Sequence, residues 1–224
     1  MRQALILAIA PLLLLGGANW GSKSGDISRK LTVGGITREY LLHVPGSLPA
    51  DKLAPLVMVF HGGLGRGRGM PEFTHFDRVA DEHGFIVAYP YGVNGHWNDT
   101  RGFSSADDVG FARALIADVQ HSYRADSKRV YASGISNGGF FSNRLACELA
   151  DQIAAIAVVA ATMPEKLVPD CKPVLPMSVM FIQGTNDPLV PINGGQVARN
   201  RGVAISLSDA AKFWIERDHA SSAP

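Results

Sequence analysis

Apolar and polar positions set the elements one after another. Ile27 to Val33 and Ile36 to Val44 are two extended runs joined by Gly34-Gly35, which predicts a β-hairpin. Leu56-Val57-Met58-Val59-Phe60 is continuously apolar, as in a strand buried on both faces of a parallel sheet. Phe73, Phe76, Val79 and Ala80 fall at helical spacing and stop before Gly84, a C-cap residue. Phe85 to Tyr89 reads as the next strand, and Asp107 to Tyr123 carries Phe111, Ala114, Leu115, Ala117 and Val119 in helical rhythm. A strand at Arg129 to Ser133 and a helix from about Gly138 to Leu149 follow. Ile153 to Ala161 and Ser178 to Ile182 are two further buried strands, and Ser208 to Arg217 is a last helix. A hairpin followed by alternating strands and helices predicts an α/β sandwich with a mostly parallel sheet, in which the five strands after the hairpin lie side by side.

The first residues differ in kind. Arg2, an apolar run from Leu5 to Leu15 and the small residues Gly16-Gly17-Ala18 have the layout of a secretory signal peptide over residues 1–18. The run is too short for the roughly twenty residues that cross a hydrocarbon core, so no stable membrane insertion is expected after cleavage. The globular domain is expected over 26–218, secreted or periplasmic. Export makes Cys147 and Cys171 candidates for a disulfide, the alternative being two separate buried thiols. The 21 Lys and Arg balance the 20 Asp and Glu, and both halves of the chain share the balance, so nothing offers the basic surface that nucleic acid needs.

In a parallel sheet, sites form at the carboxyl ends of the strands. The loop after Phe60, His61-Gly62-Gly63-Leu64-Gly65-Arg66-Gly67-Arg68-Gly69, is rich in glycine. It lacks the Gly-Lys-Ser/Thr end of a P-loop and the third glycine of a dinucleotide fingerprint, so no nucleotide cofactor is expected. What remains is an oxyanion loop of the His-Gly-Gly kind, or a plain flexible turn. Gly134-Ile135-Ser136-Asn137-Gly138 matches G-x-S-x-G, with a strand before it and a helix after it, as a nucleophilic serine on a sharp turn requires. A serine hydroxyl needs a base, and the base needs an acid. Asp187 has the place of the acid, in the loop Gly184-Thr185-Asn186-Asp187-Pro188-Leu189-Val190-Pro191 that follows a late strand.

These motifs, together with Trp97-Asn98, Asp107-Asp108-Val109-Gly110-Phe111 and the two cysteines, resemble those of the secreted esterases that include polyhydroxybutyrate depolymerase-like enzymes and feruloyl or acetylxylan esterases, carbohydrate esterase family 1. The resemblance runs from about Asp26 to about Arg217. It implies an α/β-hydrolase fold with Ser136 as nucleophile, Asp187 as acid, and an oxyanion hole made by the Asn137 N–H with one from Gly63 or Leu64. It also implies substrate contacts at His61 and Trp97, and an ester, polyester or polysaccharide-ester substrate. The family carries its base in a Gly-Gly-Gly-His-Thr-Trp-like loop after a final strand, and neither is found here. His219, the one histidine after Asp187, ends a helix with no strand to carry it to the site. The expectation is therefore an esterase shortened at its C-terminus, either a serine ester hydrolase whose triad histidine is absent or a remnant that binds esters without turnover. The other histidines show no spacing with carboxylates that marks a metal site, and none is expected.

Overall fold

The structure, a computed structural model, describes residues 25–49, 51–198 and 200–220. The signal peptide expected over 1–18 lies outside the described residues. Strands β1 (Gly25–Val33) and β2 (Ile36–Val44) form the hairpin, with Val33 opposite Ile36 and both turn glycines at positive φ. Then come β3 (Ala54–Phe60), α1 (Met70–Thr74), α2 (Phe76–His83), β4 (Ile86–Pro90), α3 (Asp108–Tyr123), β5 (Ala125–Ile135), α4 (Asn137–Glu148) and β6 (Ala155–Val159). The chain continues with β7 (Met163–Pro164), β8 (Ser178–Ile182), β9 (Gly195–Gln196), β10 (Val203–Ile205) and α5 (Leu207–Arg217). The main sheet has the order β1-β2-β4-β3-β5-β6-β8, antiparallel at the hairpin side and parallel from β4 to β8. All five strands expected to share a sheet do so. The helix expected around residues 73–80 is two helices, because His75 takes the left-handed conformation (φ 54°) and breaks the rhythm.

The sheet reverses direction at β3: β4 lies on one side of it and β5 on the other. Right-handed crossovers then send α2 to one face and α3 and α4 to the opposite face. The core follows this division. Phe111 and Leu115 of α3 and Phe141 and Leu145 of α4 pack with Leu56, Met58 and Phe60 of β3, whereas Ala80 of α2 packs with Val59, Val87 and Tyr89 on the other side. The crevice at such a reversal, at the carboxyl ends of the strands, is where α/β sheets bind ligands. Among the described residues no strand pairs with the outer edge of β8, where Met180 and Ile182 are exposed. No helix among the described residues is long and apolar enough to cross a membrane.

Two covalent or ionic ties fix the frame of the site. Cys147 at the end of α4 and Cys171 form a disulfide with a Cα separation of 4.9 Å. It closes a segment of 24 residues, worth about 3 kcal/mol through restriction of the unfolded chain. Reduction is expected to lower the melting temperature, as calorimetry with and without a reductant would read. Asp107 caps α3 by accepting from the Gly110 N–H at 2.8 Å, and its neighbour Asp108 points inward to Arg38 at 2.6 Å. That ion pair is buried, but its remaining lone pairs and protons are used: Asp108 accepts from the Asn98 N–H and Arg38 donates to the Tyr91 carbonyl. Burial pushes the Asp108 carboxyl above the usual carboxylate range despite these contacts.

Sequence spacing gave no hint of a second cluster. His43 on β2 directs Nδ1 to Asp26 on β1 at 2.9 Å and Nε2 to Asp81 on α2 at 3.1 Å, with Asp77 close by. Asp26, His43 and Asp77 stand close enough for one ion to reach all three. Both ring nitrogens face carboxylates, so the protonated ring can donate from both. Burial alone would lower the pKa of this imidazole, but Asp26, Asp81 and Asp77 outweigh it and hold the pKa above the ordinary histidine value. A raised folded-state pKa means the stabilisation is complete below the unfolded value near 6.5 and is lost as pH rises through the folded value. Denaturant midpoints are expected to fall as pH is raised from about 6 to 8, with the His43→Gln variant flat over the same window. A slope unchanged by that substitution would contradict the assignment.

Candidate active site

Ser136 lies between the last residue of β5 and the first of α4, with φ 53° and ψ −116°. A serine holds such an angle pair only where its surroundings impose it. Here the imposition comes from close backbone packing on both sides. A Cβ on Gly134 would lie 2.3 Å from the Gly138 carbonyl, and a Cβ on Gly138 would lie 2.3 Å from the Phe60 oxygen and 2.6 Å from that of His61. The two glycines of the motif therefore let β5, α4 and the end of β3 meet, and Ser136 is raised on the turn between them.

The loop after β3 lies against this turn. A Cβ on Gly62 would be 3.6 Å from the Ser136 Cβ. The Leu64 N–H, one of the expected oxyanion donors, is already spent on the Gly95 carbonyl at 2.8 Å. The Gly63 N–H has no partner among the described residues, and the Asn137 N–H, at the first turn of α4, has none inside its own helix. Of the three N–H groups, those of Gly63 and Asn137 are left as candidate donors, because the Leu64 N–H is occupied.

His61 and Trp97 were expected to touch substrate, and the structure buries both. His61 is 1% exposed; its Nδ1 donates to the Gly62 carbonyl at 2.7 Å, and its Nε2 accepts from the Gly92 N–H at 3.0 Å. These two partners fix the neutral tautomer, and burial lowers the pKa in the same sense. Trp97 is fully buried, donates to the His61 carbonyl at 3.0 Å, and stacks on Phe141 at 5.4 Å between ring centres. Both residues hold the loop from beneath. A motif shows which residues recur together, not which way each side chain points.

Sequence reading missed the network around Asn137. Its side-chain oxygen accepts from the Trp97 N–H at 2.8 Å, and its amide nitrogen donates to the Trp97 carbonyl and, at 2.6 Å, to Asp99. Asp99 is fully buried and pairs with Arg101 at 2.5 Å, and that guanidinium lies 3.7 Å above the Phe140 ring. The first residue of α4 is thereby fastened to the loop that follows β4, which holds its N–H in a fixed direction.

Asp187 sits in the turn after β8, as expected. Its Oδ1 accepts from the Leu189 and Val190 N–H groups at 2.8 and 2.9 Å, and its Oδ2 accepts from Gln183 at 3.2 Å. Ser136 and Asp187 both leave carboxyl ends of parallel strands, with one strand, β6, between them, so the strands that carry them lie about 10 Å apart. Leu189 and Val190 line the same cavity as Ser136, which encloses about 130 Å³. His219 is at the other end of the sheet. Its neighbour Asp218 accepts from the N–H of Met177, just before β8 begins, a strand's length from Asp187. His96 is the one histidine among those lining the cavity; its Nδ1 bonds the Asn94 carbonyl at 3.0 Å and its ring stacks on Phe103. Among the described residues no histidine is hydrogen-bonded to Ser136 or Asp187.

A hairpin-led parallel sheet with a strained serine at its reversal defines an α/β-hydrolase fold. Residues 38–201 match the family described as esterase PHB depolymerase, and the chain belongs to that family. It is similar to a feruloyl esterase B of Piromyces equi, 32% identical over 196 residues that make up 84% of this chain and 37% of that protein. A putative esterase NocK of Nocardia uniformis subsp. tsuyamanensis is 36% identical over 174 residues, 75% of this chain and 50% of the relative. The chain thus spans half or less of the length of these two relatives. Among solved structures a thermostable esterase superposes with a TM-score of 0.64 over 87% of this chain and 51% of that one, at 18% identity.

Proposed function

We propose that this chain carries the nucleophile of an exported serine hydrolase of carboxylic esters. The observation that carries the reading is the strained Ser136 between Gly134 and Gly138, with the Gly63 N–H, which has no partner among the described residues, in the loop packed against it. In the proposed reaction Ser136 Oγ attacks the ester carbonyl and the oxyanion develops between the N–H groups of Gly63 and Asn137. The alcohol leaves with a proton, and water then releases the acid from the acyl-serine. Asp187 is the carboxylate that would orient the imidazole base. The substrate class is a polyhydroxyalkanoate-type polyester or a feruloyl or acetyl ester of a polysaccharide, in keeping with the family and with the names of its relatives. The disulfide supports an oxidising compartment, and with it the secreted or periplasmic location.

A second reading, a hydrolase fold that binds esters without turnover, is favoured by the lack of a bonded histidine at Ser136 and Asp187 among the described residues. A fluorophosphonate separates the two. Serine displaces fluoride at phosphorus, and mass spectrometry of the digested protein is expected to find one adduct, on the peptide holding Ser136. An adduct on another residue, or none after prolonged incubation in imidazole buffer, would contradict the catalytic reading.

A further inference from the structure

The cavity beside Ser136 is lined by two arginines, Arg101 and Arg201, together with His96, Phe103 and Gly63, and among the described residues by no carboxylate. The two guanidinium groups differ in their pairing. Arg101 is satisfied by Asp99 and by the Arg201 carbonyl, to which its Nη1 donates at 3.0 Å. Arg201 has no acceptor for its guanidinium among the described residues, although its backbone is held at both ends: its N–H donates to the Val197 carbonyl at 3.2 Å and its carbonyl accepts from Arg101. The backbone of Arg201 is anchored, and its guanidinium is left for an anion that enters the cavity.

That place is next to the reaction centre. A Cβ on Gly63 would lie 3.6 Å from Arg201 Nη1 and 3.6 Å from the His96 ring, while one on Gly62 would lie 3.6 Å from the Ser136 Cβ. Ser136 and Arg201 line one cavity of about 130 Å³, with Gly63 between them in the lining. A small bifunctional molecule that fills such a cavity meets both. Arg66 and Arg68, on the same loop as Gly63, are exposed and outside the lining of the cavity.

We infer that the site takes esters that also carry a carboxylate, with Arg201 binding the carboxylate while Ser136 faces the ester carbonyl. A guanidinium presents paired donors that match the two oxygens of a carboxylate, and in a half-enclosed cavity this contact is stronger than in open water. A neutral ester would leave the guanidinium without an anion. The inference rests on Ser136 being the reaction centre, and it names the substrate more narrowly than the family does: half-esters of dicarboxylic acids.

Monomethyl glutarate and dimethyl glutarate are close in size, and only the first has a charge. Titration calorimetry of the whole chain with each is expected to show the half-ester binding on the order of tenfold to a hundredfold more tightly, the range for a hydrogen bond to a charged group. Raising NaCl from 0.05 to 0.5 M is expected to shrink the difference. Arg201→Gln should abolish the preference and Arg201→Lys should keep part of it. Arg66→Gln and Arg68→Gln should leave it intact, and so should Ser136→Ala. Equal affinity for the two esters in the unsubstituted chain would overturn the proposal, as would a preference that survives Arg201→Gln or disappears in the Arg66 and Arg68 variants. A charge preference in a chain that forms no fluorophosphonate adduct at Ser136 would refute the esterase reading alone, and an adduct at Ser136 without a charge preference would refute this inference alone.

Discussion

Gly138→Ala is expected to unsettle both the fold and the site. The added methyl would lie 2.3 Å from the Phe60 carbonyl oxygen and 2.6 Å from that of His61, and neither is the free end of a side chain. The end of β3 or the start of α4 must shift by close to an ångström. Forcing extra carbon into a packed interior costs about 1 to 3 kcal/mol, and more where backbone must move. The same shift separates the Gly63 and Asn137 N–H groups, and a misplacement of that size costs on the order of 10² in rate. Gly69→Ala serves as the control, because a Cβ there has nothing within 4 Å. Urea denaturation is expected to move the midpoint sharply down for Gly138→Ala and hardly at all for Gly69→Ala. Equal midpoints would mean that the close approach of β3 to the turn is not a constraint in solution.

The parts of the fold legible in the sequence are those with a local cause. The hairpin showed through its glycine pair, the buried strands through continuous apolar runs, and Ser136 through two glycines at fixed offsets. Asp187 is legible through chain order and its loop after a late strand, and it lies just past the carboxyl end of β8. What stayed hidden depends on which way side chains face. Asp99 and Arg101 sit in a loop where a polar sequence reads as solvated, yet their mutual charge lets both be buried beneath Asn137. The family resemblance implies substrate contacts at His61 and Trp97, and both side chains are buried. His96 read as an ordinary loop histidine, and Arg201 carried no local signal at all. Each became visible only when the segments after β3, β4 and β9 were folded over one another. The left-handed residue at His75 gave no warning either, since the apolar spacing runs across the break.

The central claim is that Ser136 is a nucleophile in a preformed site. Its most direct test is hydrolysis of p-nitrophenyl butyrate by the chain and by Ser136→Ala, each with and without added imidazole. General-base help to a positioned nucleophile is worth on the order of 10²- to 10⁴-fold. Imidazole diffusing to the site is therefore expected to accelerate the chain well beyond its effect on the ester in buffer, and to give Ser136→Ala no more than that buffer effect. If Ser136→Ala keeps the rate and the imidazole response of the unsubstituted chain, Ser136 is not the nucleophile and the account fails.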